Sequence, residues 1–113
     1  MYLTQNKMVV CADGFSMSVQ ANQGAYCSPR LDRQKEYSQV EVGFPSQEES
    51  LLMPYCENPN DPTETVYGWV PVNIVTDIIA KHGGIVEGDV PAGVNPGPRV
   101  KRIGAVEYRE WGC

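Results

Sequence analysis

The chain has 113 residues, 42% of them hydrophobic and 20% charged, with a net charge of −5. That length and balance suit one ordinary globular domain, which buries roughly two-thirds of its unfolded surface and needs no metal or disulfide staple. A fibre and a disordered tail are excluded by composition. No apolar run approaches the roughly 18 residues of a membrane span, and an acidic total disfavours nucleic acid, whose phosphates recruit positive charge.

The N-terminal M-Y-L-T-Q-N-K-M-V-V-C has no basic region followed by a long apolar segment, so the expected location is cytoplasmic, with no membrane partner. Residues 8–12, M-V-V-C-A, read as a first strand, and residues 15–22 as a second. The Asp13-Gly14 pair between them predicts a tight β-hairpin with positive φ at both central positions. In the second strand Phe15, Met17, Val19 and Ala21 alternate with Ser16, Ser18, Gln20 and Asn22. No charged residue stands between Asp13 and Arg30, although a plain solvent face normally carries Lys and Glu. Neutral hydroxyls and amides offer donors and acceptors that cost less to desolvate than charges. Ser16, Ser18 and Gln20 are therefore read as a contact row.

Residues 25–36 form an irregular loop, because Pro29 pushes Ser28 towards extended geometry. Tyr26 and Arg30 within it are of types enriched at contact hot spots. The sequence Tyr26-Cys27-Ser28-Pro29-Arg30 also sets a thiol beside a cation, which lowers a thiol pKa. Alternation returns from Tyr37, with Val40, Val42 and Phe44 opposite Gln39 and Glu41, and ends at Pro45. Ser46 followed by Glu49 has the form of a capping box. It opens a short helix over 47–53 that Pro54 stops, with Glu48 and Glu49 as helix-start residues. A Pro/Asn loop at 56–63 precedes a strand over 63–70. Pro71 then opens the main helix, 71–82, with Ile74, Val75, Ile78 and Ile79 on one face and Gly83-Gly84 as the stop. His82, in the last turn, reads as a capping or packing residue. A short strand at 85–90, an exposed Pro/Gly loop at 91–98 and a strand-like pattern over 99–111 complete the chain. The expected fold is a single α+β domain over 1–113. A largely antiparallel sheet of four to six strands carries the main helix on one face and the Ser16, Ser18 and Gln20 row on the other.

No phosphate loop, dinucleotide fingerprint or nucleophile elbow occurs, so no catalytic residue and no cofactor are assigned. Cys11, Cys27, Cys56 and Cys113 make no C-x-x-C pair and His82 is the single histidine, so no metal is assigned either. Basic residues flank an acidic middle that runs from Glu36 to Asp77. If Arg30, Arg33, Arg99 and Arg102 converge, they make an anion site for phosphate or carboxylate. The reading is a non-enzymatic binding protein that occupies a protein surface or sequesters a small anionic ligand, with homo-oligomers allowed. The alternatives are a virion or assembly component, in which the polar strand pairs between subunits, and a Cys27-dependent thiol enzyme with His82 as its base.

Taken together, D-G-F-S-M-S-V-Q, Y-C-S-P-R, V-E-V-G-F-P-S and T-V-Y-G-W-V-P-V, followed by a helix ending K-H-G-G, resemble a group of small uncharacterised proteins from tailed-phage and prophage genomes. The resemblance spans residues 12–84 and leaves the basic tail uncovered. It implies a viral accessory protein acting in a bacterial cytoplasm, such as an inhibitor of a host process or defence. It carries no catalytic role to any residue.

Overall fold

The computed structural model describes residues 5–101. Its five strands are β1 (Val9–Cys11), β2 (Ser16–Gln20), β3 (Gln39–Gly43), β4 (Val66–Pro71) and β5 (Ile85–Glu87), and its single α-helix is α1 (Val72–Lys81). They form one antiparallel sheet in the order β4-β3-β2-β1-β5, an α+β fold as the patterning predicts.

The hairpin stands where Asp13-Gly14 places it, but its loop has three residues instead of two. Val10 faces Ser16 and Val9 faces Met17, while the Cys11 N–H donates to Phe15 O at 2.8 Å and the Gly14 N–H to Cys11 O at 2.9 Å. Only Gly14 has positive φ, 98°, as expected for a tight turn closed by a left-handed glycine. Asp13 is thereby freed from the left-handed position, and its Oδ1 caps the Phe15 N–H at 2.9 Å.

The core lies between the sheet and α1. Met17, Val19, Val40, Val42, Tyr67 and Val70 meet Val75, Ile78 and Ile79 of the helix in one buried cluster. Each fully buried aliphatic side chain there contributes about 1.5–3 kcal/mol. β4 runs directly into the helix through Pro71, whose φ of −57° suits a helix start and whose missing N–H no helical bond needs.

Two local expectations change. The capping box at Ser46 and Glu49 does not form, because Ser46 Oγ instead accepts from the Ser16 N–H at 3.0 Å, thirty residues away. Residues 50–52 make a turn, and the short helix at 47–53 gives way to a 3₁₀ helix at Met53–Tyr55 that contains Pro54. The loop at 91–98 is exposed for most of its length, but Pro91 and Val94 are buried and the Tyr37 N–H donates to Ala92 O. The strand-like pattern expected over 99–111 lies outside the described residues beyond Lys101.

Both sheet edges are covered. Cys56 bridges Tyr67 on β4, and the Trp69 N–H donates to Tyr26 O at 2.9 Å. On β5 the Val100 N–H donates to Ile85 O, and the Arg99 guanidinium holds the carbonyls of Val86 and Gly88. Covering an edge removes the template on which another chain could pair. No helix among the described residues is long and apolar enough to cross a membrane.

Candidate functional site

The sheet face turned away from α1 carries two of the three non-glycine residues at positive φ among the described residues, Phe44 and Trp69. Val40 faces Val70 and Val42 faces Tyr67, so Glu41 alone stands opposite Gly68 and Trp69. This is a β-bulge, which bends a strand and re-aims its side chains. Trp69 sits at φ 51° and is 43% exposed; Phe44, at the end of β3, sits at φ 50° and is 50% exposed. A left-handed conformation is costly for a bulky side chain, and two large aromatics held that way in solvent call for a use beyond folding. Phe44 also departs from the expected alternation: Val40 and Val42 are buried, but the backbone turns at Phe44 and presents the ring outward.

Trp69 does not stand alone. Its ring stacks on Tyr26 with centroids 4.9 Å apart and planes 18° from parallel, and the Arg30 guanidinium lies 5.3 Å from the Tyr26 centroid. Gly68 makes the stack possible. A Cβ there would lie 3.2 Å from the Tyr26 Cβ, tighter than most packed side chains, so Tyr26 would have to shift by a few tenths of an ångström. The Tyr26 N–H donates to Glu41 Oε1 at 3.3 Å, which ties the loop to the middle of the sheet face.

Beside this stack lies the neutral row of β2. Ser16 and Ser18 are half-buried, whereas Gln20 is only 5% exposed. Gln20 is clamped by Asn6: its Oε1 accepts from the Asn6 N–H, and its Nε2 donates to Asn6 O and to Ser18 Oγ. The open row expected from alternation is thus partly covered by the chain's own N-terminal segment. Among the described residues, Gln5, Ser18, Gln20, Glu41, Gly43, Phe44 and Val66 line a cavity of about 110 Å³ on this face.

Arg30 and Arg99 do not converge. Arg30 is stacked beside β4, while Arg99 clamps β5 at the other edge, four strand spacings or about 19 Å away. Arg33 is exposed on the 21–38 loop at φ 52°, and Arg102 lies outside the described residues.

Cys27 is buried, and its thiol contacts Asn22 O at 3.2 Å. Burial pushes its pKa up and outweighs both that hydrogen bond and the nearby Arg30, so the expected lowering is reversed. Cys11 is likewise pushed up by burial, with Asp13 adding to the effect, to about 11. Cys11, Cys27 and Cys56 are free thiols.

His82 closes a polar network on the opposite side of the fold. Nδ1 meets Asp13 Oδ2 and Nε2 meets Glu49 Oε1, each at 2.7 Å, and the ring stacks on Phe15 at 4.1 Å. Glu49 Oε2 also accepts from Lys81 Nζ at 2.8 Å and from the Leu51 N–H. Burial alone would raise the Glu49 pKa, but the bonds from Lys81, Leu51 and His82 prevail and hold it at about 2. Asp13 shifts down in the same way: burial opposes ionisation, and bonds from the Phe15 N–H and His82 overcome it. Both ring nitrogens are engaged by carboxylates, which leaves neither for a substrate. The cluster is a clasp joining the hairpin turn, the 49–52 turn and the end of α1. Among the described residues no group of three or more His, Cys, Asp or Glu side chains is placed to hold a metal ion.

Of the sequence-derived site residues, the fold gathers Ser18, Gln20, Tyr26 and Arg30 on one face, with Ser16 at its margin. Trp69, Phe44 and Glu41 were missed, although a glycine inside the strand-like V-Y-G-W-V was a signal for a bulge. No family model, curated protein or solved structure matches the chain.

Proposed function

We propose that the chain is a non-enzymatic binding protein that docks on a protein partner through the sheet face bearing Tyr26, Arg30, Phe44 and Trp69. The reading rests on the Arg30–Tyr26–Trp69 stack, held at the surface by a bulge that places Trp69 at φ 51°. Trp, Tyr and Arg are the residue types that dominate binding energy at protein interfaces. Pre-stacked rings lose little conformational freedom on docking, which favours affinity. The separation of Arg30 from Arg99 favours a protein surface over a small anion as the partner. A phage origin, with action on a host protein in the bacterial cytoplasm, belongs to the same proposal and is supported by the motif resemblance over residues 12–84.

Site-specific photo-crosslinking tests the docking face. A photoreactive phenylalanine analogue is placed at Trp69 and, as a control, at Leu31, which is 55% exposed on the adjoining loop. In bacteria producing the chain, the Trp69 position is expected to give one discrete adduct that Arg30→Ala weakens, and Leu31 none. Equal labelling from both positions, or from neither, overturns the reading.

A further inference from the structure

Docking through the aromatic stack takes the Arg30 guanidinium out of water. Among the described residues, no carbonyl or side chain pairs with the Arg30 guanidinium, the Trp69 indole N–H or the Tyr26 hydroxyl. The three groups stand together, with the Trp69 ring centre 4.9 Å and the Arg30 Cζ 5.3 Å from the centre of the Tyr26 ring. Asp32 and Glu41, whose charges act with Arg30 on the Cys27 thiol, form no ion pair with it. Asp32 Oδ1 accepts from the Gln23 N–H at 2.9 Å, and Glu41 Oε1 from the Tyr26 N–H. The backbone just after Arg30 is pinned. Tyr37, 3% exposed, donates its hydroxyl to Leu31 O at 2.6 Å and accepts from the Gln34 N–H at 3.2 Å. Arg33 and Lys35, exposed on the same loop, likewise make no ion pair among the described residues.

We infer that Arg30 receives a carboxylate of the protein partner, an Asp or Glu side chain set beside an apolar residue that packs on Trp69. Resting on the docking reading above, the inference specifies the partner's chemistry. Each unengaged polar group of the stack can donate a hydrogen bond, so its complement is an acceptor. The charge decides which acceptor. An amide or hydroxyl would leave a desolvated guanidinium without a counter-charge, which is costly, and a cation would be repelled. A carboxylate takes two parallel bonds from the guanidinium fork, and the fork donates from its edges while its face rests on an aromatic ring. Leu31, 55% exposed, and Trp69, 43% exposed, supply apolar surface beside the pair. Covering that surface lowers the local dielectric and strengthens the attraction.

The probes are the peptide Nα-acetyl-Phe-Gly-Glu methylamide and its neutral isostere Nα-acetyl-Phe-Gly-Gln methylamide, titrated into the full ¹⁵N-labelled chain. In an extended peptide the first and third side chains share a face, so ring and carboxylate can reach the stack together. The acidic probe is expected to move the Arg30 Nε–H and Trp69 Nε1–H signals. At low salt it should bind about fivefold more tightly than the neutral probe, the upper end for an exposed ion pair. Arg30→Gln should abolish that preference, whereas Arg33→Gln, an equal loss of charge, should keep it. Equal binding of the two probes, no binding of either, or a preference that survives Arg30→Gln overturns the inference. So does a preference lost equally in both variants, since net charge alone would then explain it. A Trp69 adduct in cells together with no acidic preference removes the carboxylate contact and leaves the docking face standing. The converse pair of results removes the docking face.

Discussion

Phe44 and Trp69 show how a single residue can serve binding at the expense of the fold. Each occupies the left-handed region, which costs an L residue about 1–2 kcal/mol, and each keeps nearly half its surface in water, where burial returns little. Replacing Phe44 with glycine relieves that strain. We expect Phe44→Gly to raise stability by about 1 kcal/mol, a few degrees in melting temperature, while docking through the Trp69 face weakens. Thermal unfolding by circular dichroism reads the first effect and the yield of the Trp69 crosslink the second. A clear fall in melting temperature would mean that the Phe44 ring holds the fold together, and the case for strain retained for function would weaken. At Trp69 the balance differs, because stacking on Tyr26 returns about 0.5–1.5 kcal/mol.

Among the elements, the end of α1 depends on a carboxylate from a distant turn. Glu49 is 2% exposed, and its pKa falls from an ordinary 4.5 to about 2. The unfolded chain protonates this group as pH falls through 4.5, whereas the folded chain keeps it ionised until about 2. The stability it contributes is therefore complete above pH 4.5 and is lost between there and pH 2. The span corresponds to about 3 kcal/mol. Urea unfolding between pH 7 and 2.5 should show this loss in the natural chain. Glu49→Gln should already be less stable at pH 7, by a similar amount, and should show a much flatter acid limb. An unchanged acid limb in the variant would place the acid sensitivity elsewhere, with Asp13 the next group to test.

For the whole molecule, the sheet order decides what can assemble. β2 is the central strand, bonded to β3 on one side and β1 on the other, so its backbone is unavailable to a second subunit. An assembly built on pairing of this polar strand is incompatible with the fold, although its outward face can still make contacts. The same order predicts a gradient of local stability. Amides of β2 and β3, in the middle of the sheet over the helix, should exchange only through global unfolding. Those of the three-residue β5, held by Arg99 and Val100, should exchange through cheaper local opening. Hydrogen exchange followed by NMR measures both, and equal protection of β5 and β2 would contradict the gradient.

The strands and the main helix were legible in the sequence because alternation, Asp-Gly and Pro71 act over a few neighbouring residues. Phe15, Met17 and Val19 could turn only one way once their strand formed. The docking surface was legible in fragments: Ser18, Gln20, Tyr26 and Arg30 by residue type, without Trp69, Phe44 or Glu41 and without their common face. Ser46 and Glu49 had local capping partners in sequence, yet they bond to Ser16, Lys81 and His82, because the long-range contacts that the packed chain offers them outweigh a cap worth about 1 kcal/mol. By itself the sequence determined the hairpin, the apolar rows of the central strands and the main helix, since periodicity and hydrophobicity are local properties; the 47–53 segment, Phe44 and Gln20 departed from it where distant contacts intervened. Only the tertiary structure decided which polar and aromatic groups meet, because bulges, left-handed residues and sheet order depend on how distant segments pack.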